Sequence, residues 1–511
     1  MLARVHSCAV LGIDGFMLSV EVDNYPGMAK FFLVGLPDTA VKESKERVGS
    51  ALRSARFRVP RGVVVVNLAP ADMRKEGSSL DLPIALGMLV ASEQLEGQRF
   101  SNHAIVGELA LDGSIRPVAG ALSMAMAARD AGLDGIILPE ENADEAGVVP
   151  GIEVIPVGTL TDAVSYLAGS DDIPSYRTNI DTIYRSASAK APDLSDVKGQ
   201  GHVKHALKVA AAGGHNLLMV GPPGTGKTML AARLPGILPD MTFEEALETT
   251  RIYSVAGATR ERNKLIVQRP FRSPHHTATT VSISGGGTGQ QPMPGEVSLA
   301  HNGVLFLDEL PEFNRAALEV LRQPLEEGLV HIRRAMYSVT FPSRFMLVVA
   351  MNPCPCGCRT DPRKECRCSQ GDVQRYTARL SGPLLDRIDI HIEVPALSFD
   401  ELKDSRPSGP SSAEVRRTVQ AARDRQRARS NGAALCNAQL DTRGLREHCR
   451  MANGAQKLLE HAIEKLGFSA RAYDKVLRIA RTLADLEQSE HIAEPHVSEA
   501  IQYRSLDRSL F

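Results

Sequence analysis

The stretch Asn216–Thr228 reads NLLMVGPPGTGKT, and its three parts predict a strand, a loop and a helix in that order. Leu217–Val220 is an unbroken apolar run, as a parallel strand buried on both faces requires. Gly221, Pro222, Pro223, Gly224, Thr225 and Gly226 form the loop, and Lys227 and Thr228 open an Ala/Leu-rich segment that reads as a helix. Glycines let backbone N–H groups close around phosphate oxygens, with the positive end of the helix dipole behind them. In this pattern Lys227 reaches the β and γ phosphates of ATP, and the Thr228 hydroxyl holds Mg²⁺.

Working outward, VKHALKVAAA reads as a helix closed by Gly213-Gly214, leading into the phosphate strand. Downstream, the apolar run Val304–Leu307 ends in Asp308-Glu309. An acidic pair at the carboxyl end of a strand beside the phosphate strand suits metal holding by Asp308 and water polarisation by Glu309. A third apolar run, Phe345–Ala350, ends at Met351-Asn352. These alternations of strand and helix predict an α/β module over residues 196–395.

The segment before it, residues 1–170, reads as a separate unit. Strands are expected at Ser7–Leu11, Phe16–Val22, Phe31–Val34, Val63–Leu68 and Ala104–Leu109, and in GIILP. Helices are expected over Thr39–Ala55, from Ser79 through LDLPIALGMLVA, and in LSMAMAARDAG, closed by Gly132. The runs KEGSSLD, IVGELALDGSIRPVAG and ARDAGLDGIILPEEN resemble the proteolytic domain of Lon-type proteases, which implies an α+β domain of the ribosomal S5 domain 2-like fold. Ser79 matches that family's catalytic serine. The position of its lysine is held by Leu122, which cannot act as a base, so no peptidase activity is expected.

Within the α/β module, GPLLDRIDI at Gly382–Ile390 resembles the arginine-finger segment of the helicase and chelatase branch of AAA+ ATPases. The resemblance makes Arg387 a finger acting on a neighbouring subunit, Asn352 the sensor-1 residue that orients water, and Arg471 in SARA (469–472) a sensor-2 arginine on a helical lid that closes over the nucleotide. KEGSSLDLPIAL, RPFRSPHHTATT, GEVSLAHNGVLFLDEL, NPCPCG and SGPLLDRIDIHIEVP together make the whole chain resemble the ComM/YifB family, the magnesium-chelatase-like AAA+ ATPases. That resemblance implies a homohexameric ATP-driven DNA motor, a helicase promoting branch migration in natural transformation, with single-stranded and branched DNA as partners. A motor driving a metal-insertion partner and an ATP-switched scaffold are the alternatives.

Two insertions suit a DNA motor. Arg272–Gly295 carries Gly285–Gly287, Gly289 and Gly295 and reads as a mobile pore loop. Leu329–Phe341 alternates on both sides of Arg333-Arg334-Ala335-Met336 and reads as a hairpin whose two arginines meet DNA phosphates. His275 and His276, within the first of these, read as loop or packing residues. Five of the eight cysteines lie in the window 354–368, which points to metal rather than disulfides. Structural Zn²⁺, an iron–sulfur cluster and free thiols stay open on spacing alone. The family resemblance selects Cys354, Cys356, Cys366 and Cys368 as four thiolate ligands of Zn²⁺ and leaves Cys358 out.

Polar stretches at 171–195 and 396–412 read as linkers, and 413–511 as the helical lid, in which Arg416, Arg423 and Arg427 share a face suited to solvent, DNA or a neighbour. The chain has 511 residues, 43% of them hydrophobic, enough for several buried cores. A net charge of −1 does not advertise nucleic acid, so any grip on DNA must come from local cations. No apolar run is long enough to span a bilayer and Gly12, Asp14 and Gly15 interrupt the start of the chain, so a cytoplasmic protein without membrane partners is expected.

Overall fold

Seven strands of the amino-terminal part form one mixed sheet: β1 (Leu2–Leu11), β2 (Asp14–Tyr25), β3 (Lys30–Val34), β4 (Val63–Ala69), β5 (His103–Ile105), β8 (Gly135–Pro139) and β9 (Glu153–Val157), with β6 (Glu108–Leu109) and β7 (Ile115–Arg116) pairing beside it. The computed structural model describes residues 2–504 except 72, 74, 76, 97, 188–191, 258–264, 288–291, 335–336, 398–400, 402–408, 433–434 and 467–468. The sheet order is β3-β4-β2-β1-β5-β8-β9. Alternation in β2 buries Leu18, Val20 and Val22, under the helix Asp81–Ala91, which is apolar all round because it is buried all round. Gly87 lets that helix approach, since a Cβ there would lie 2.7 Å from Val22 Cγ2.

Three local expectations change. The helix expected over Thr39–Ala55 is two, Thr39–Lys42 and Ser44–Ser54. The strand expected at Ala104–Leu109 breaks after Ile105, because Gly107 N–H donates to Ser79 O (2.9 Å) and Gly107 O accepts from Leu82 N–H (3.0 Å), drawing the chain out of the sheet to hold the helix start. The segment 171–195 is more than a linker: Ile180–Ala187 is helical, and Ile180, Ile183 and Tyr184, at helical spacing, pack with Met124, Ala128, Met241 and Ala246.

The second body is a parallel sheet of β10 (Leu217–Val220), β11 (Phe271–Arg272), β14 (Val304–Leu307), β17 (Met346–Met351) and β18 (Ile390–Glu393), ordered β11-β14-β17-β10-β18. Two small hairpins project from it, β12 (Gly285–Gly286) with β13 (Met293–Pro294), and β15 (Leu329–Arg334) with β16 (Tyr337–Pro342). Period-2 geometry divides the strands between two cores. Leu217, Met219, Val304, Phe306 and Val348 face Val415, Val419, Val476, Ile479 and Leu483 of the carboxyl-terminal helices. Leu218, Val220, Leu305 and Leu307 face Leu318, Leu384 and Leu385 on the other side. A covering on both faces is what unbroken apolar strands demand.

The carboxyl-terminal helices therefore lie on a sheet face. Arg416 donates from Nε to Gly236 O (2.9 Å) and Arg423 from Nη2 to Ala211 O (3.0 Å), so these members of the arginine face attach the helix Ser412–Arg429 to the sheet body. The two bodies meet at the helix Phe243–Val255: Arg251 pairs with Asp14 at 2.6 Å, and Ile13 packs with Ile252, Val339 and Phe341. Among the described residues no helix is long and apolar enough to cross a membrane.

Candidate nucleotide site and metal centre

The carboxyl ends of β10, β14 and β17 converge on one rim, and they bring Lys227, Thr228, Asp308, Glu309 and Asn352 together. Thr228 Oγ1 donates to Asp308 Oδ2 at 2.6 Å. Two hard oxygens held side by side fit Mg²⁺, which prefers such ligands beside phosphate oxygens. Lys227 is buried, and its Nζ donates to Gly221 O (2.7 Å) and Pro222 O (2.9 Å) and reaches Asn352 Oδ1 (3.4 Å). Burial lowers the pKa of this amine, while Asp308 and Glu309 act in the opposite sense. The ammonium thus rests on loop carbonyls at the place a triphosphate would take over.

Glu309 adopts φ 52°, ψ 48°, a left-handed conformation uncommon for residues other than glycine. Its N–H donates to Asp308 Oδ1 (2.9 Å), and its carboxylate is 56% exposed at the rim. His276 Nδ1 lies 3.7 Å from that carboxylate. The His276 ring lies against His275 at a tilt of 36° (centroids 4.0 Å) and meets Phe313 edge-on (6.5 Å). Read as packing residues, the histidines do pack, but His276 also touches the acid expected to polarise water. The signal was available: SPHH follows β11, the strand next to β14, so both strand ends share a rim.

Arg387 and Arg471 lie elsewhere. Asn216, at the start of β10, donates from Nδ2 to Arg387 O (2.9 Å), which puts Arg387 at the amino-terminal edge of the sheet. The five residue steps from Asn216 to Gly221 at 3.3 Å each separate it from the phosphate loop by about 16 Å. Arg471 sits on the same edge, its Nη1 3.7 Å from Asp386. Arg471, expected on a helical lid that closes over the nucleotide, thus lies away from the phosphate loop of its own chain. Lys475, one turn beyond Arg471, donates to Ile388 O (2.9 Å) and pairs with Asp389 (3.3 Å), tying the helix Ala470–Leu486 to the edge where the strands begin.

The Sγ atoms of Cys354, Cys356, Cys366 and Cys368 all lie within 4.8 Å of one another. Cys354 is 3.4 Å from Cys356 and 3.7 Å from Cys366, and Cys356 is 3.7 Å from Cys366. Tetrahedral Zn–S bonds of about 2.3 Å require sulfur separations of about 3.8 Å, so the group fits a four-coordinate metal. Cys358 instead directs its thiol to Cys356 O (3.4 Å). Backbone donation from Cys358 is the leading cause that brings the Cys356 thiol down to about 6, favouring the thiolate. Gly357, at φ 77°, brings this loop onto the phosphate loop, where a Cβ would lie 2.6 Å from Pro223 Cδ.

Arg333 is exposed on β15, opposite Ser338. Ala335, Met336 and the Arg334 side chain fall outside the described residues, as does 288–291 of the glycine-rich insertion. The base of that insertion is a short helix, Thr280–Ser284, followed by the β12–β13 pair, and a Cβ on Gly295 would lie 2.2 Å from Gly285 N. In the amino-terminal body, Leu122 is buried in a core that also takes in Met241 and Ala246 of the second body, and its N–H donates to Glu145 Oε1 (2.9 Å), while Ser79 is buried.

Family models agree in order with these parts: "Subunit ChlI of Mg-chelatase" matches residues 20–142, "Magnesium chelatase, subunit ChlI" 193–402, and "Magnesium chelatase, subunit ChlI C-terminal" 409–504. The chain is 45% identical over 514 residues to the competence protein ComM of Haemophilus influenzae, covering 100% of this chain and 98% of that one. It is 44% identical over 509 residues to the uncharacterized protein YifB of Escherichia coli (strain K12), with the same coverage. A Lon protease of Halothermothrix orenii is 30% identical over 171 residues, 31% of this chain and 22% of that protein. With a phosphate loop at the head of its parallel sheet and full-length identity to these relatives, the chain belongs to the ComM/YifB family of magnesium-chelatase-like AAA+ proteins.

Proposed function

We propose that the protein is an ATP-hydrolysing motor that works as a homohexameric ring and drives branch migration of DNA joints. The observation that carries this reading is the separation of the two arginines from the nucleotide site: Lys227, Thr228, Asp308, Glu309 and Asn352 lie on one edge of the sheet, Arg387 and Arg471 on the other. A chain with these two arginines on the far edge completes a hydrolytic site only when a second copy stacks that edge against the phosphate loop. Repetition of such a head-to-tail contact closes a ring. The competence protein among the relatives supports DNA as the substrate.

In this reading Lys227 leaves Gly221 O and Pro222 O for the γ phosphate. Thr228 and Asp308 would hold Mg²⁺, which would supply positive charge to neutralise the phosphates. Asn352 and Glu309 orient the attacking water, and Glu309 takes up its proton as the γ phosphoryl group leaves ADP. Arg387 of the next chain meets the charge that develops, an interaction worth roughly 10³ to 10⁵ in rate where such fingers act. The four-cysteine site holds Zn²⁺ as a structural clamp, setting the loop that Gly357 rests on the phosphate loop. Arg333 and Arg334 meet DNA phosphates.

Mixing inactive Arg387→Ala chains with inactive Lys227→Ala chains tests the arrangement. Partial return of hydrolysis is expected, because some interfaces then pair an intact pocket with an intact finger. No return in demonstrably mixed rings refutes action between chains. A strand-displacement assay on three-stranded and forked DNA with ATP tests the motor, and hydrolysis without displacement would favour the scaffold instead.

A further inference from the structure

Arg387 is already engaged within its own chain. Its guanidinium pairs with Glu326 and donates from Nη1 to Pro383 O at 2.5 Å, leaving the side chain 15% exposed. The other nearby acids are committed elsewhere: Asp389 to Lys475 and the Asn216 N–H, Asp386 to Arg471. Glu326 sits near the end of the helix Arg322–Glu327, and Gly328, at φ 67°, turns the chain directly into β15. The junction is braced. Ser343 N–H donates to Gly328 O (2.8 Å), and Glu327 faces His331 of β15 at 3.6 Å. Glu326 and Arg387 both line a cavity of about 640 Å³ that Gly328, Arg344 and Lys475 also border.

We propose that Glu326 is a positioning residue that holds Arg387 back from the neighbouring chain's nucleotide until the β15–β16 hairpin moves. The inference rests on Arg387 acting as a finger between chains. A guanidinium paired with a carboxylate presents little net charge to a phosphoryl group, so the pair must open for the finger to act. The backbone of Arg387 is held by Asn216, whereas its partner rides on the helix that leads into the hairpin, three residues before β15 begins. A force on the hairpin tip therefore acts on Glu326 before it acts on Arg387. DNA pulling on Arg333 and Arg334 would release the finger, linking strand engagement on one chain to hydrolysis on the next.

The test is Glu326→Gln in the full chain, an isosteric change at a carboxylate that is 60% exposed. Hydrolysis is measured with and without a single-stranded oligonucleotide. An ion pair of this exposure biases a two-state equilibrium by about 2- to 5-fold, so the DNA-free rate should rise by that factor while the DNA-saturated rate stays near wild type. Glu326→Gln with Arg387→Ala should show no rise over Arg387→Ala alone, a dependence that general loosening of the helix would not produce. A DNA-free rate for Glu326→Gln at or below wild type overturns the proposal. A wild-type rate that ignores the oligonucleotide overturns the hairpin as trigger. Full activity in Arg387→Ala alone would refute the finger reading itself, a separate failure.

Discussion

Asp389→Asn is a demanding test of how the finger edge is built. Asp389 accepts from Asn216 N–H (3.1 Å), lies 3.3 Å from Lys475 Nζ and 3.7 Å from His215 Nδ1. Burial pushes its pKa up, but Lys475 and His215 outweigh that and hold the carboxyl well below the usual carboxylate range. Asparagine keeps an acceptor for Asn216 and removes the charge, leaving the buried Lys475 ammonium with Ile388 O. Breaking one side of a buried pair costs about 3 to 5 kcal/mol. At roughly 2 to 4 °C per kcal/mol for a unit of this size, the melting temperature of the full chain should fall by roughly 6 to 20 °C. Because the folded pKa is depressed, the stabilisation is complete above the unfolded value of about 3.9 and is lost as pH falls below it. The gap between wild type and variant should therefore be constant from about pH 6 to 8 and narrow below about pH 4. Thermal scans across pH measure both. A melting point within about 2 °C of wild type, or a gap that widens in acid, would refute the reasoning.

Lys227→Ala should abolish ATP turnover, measured by phosphate release, whereas Glu309→Gln should still bind ATP and turn it over about 10² or more times slower. Purified protein should carry about one Zn²⁺ per chain by elemental analysis; Cys366→Ser should lose it and Cys358→Ser should not, since only the former contributes to the four-sulfur group. Arg333→Ala with Arg334→Ala should keep basal hydrolysis and lose DNA stimulation and strand displacement, with wild-type binding falling steeply as salt rises. Unwinding by that double variant at the wild-type level would move attention to the insertion at Gly285–Gly287.

Much of the nucleotide site was legible because its information is local. Leu217–Thr228 specifies strand, loop and helix through residue type alone, and a parallel strand can end beside the loop only at its carboxyl end, which placed Asp308, Glu309 and Asn352. The cysteine set was legible only through family resemblance, since C-x-C spacing leaves Cys358 eligible; the fold excludes it by turning its thiol toward Cys356 O. The helix Ile180–Ala187 was missed although Ile180, Ile183 and Tyr184 repeat at helical spacing, because the polar residues around them masked the surface they needed.

By itself, then, the sequence determined that a phosphate loop heads a parallel α/β sheet, that acids and an asparagine end two further strands, and that a Lon-like unit precedes it without its lysine; it put the strand of Asp308 beside the phosphate strand, whereas β17 lies between them. Tertiary structure alone decided that Arg471 joins Arg387 on the far edge, that Arg416 and Arg423 serve internal packing, that His276 meets Glu309, and that Glu326 occupies the finger. The physical reason is range. Periodicity and turn chemistry act over a few residues, whereas the docking of an apolar helix on one sheet face or another is settled by side chains hundreds of positions apart, such as Leu217 and Leu483.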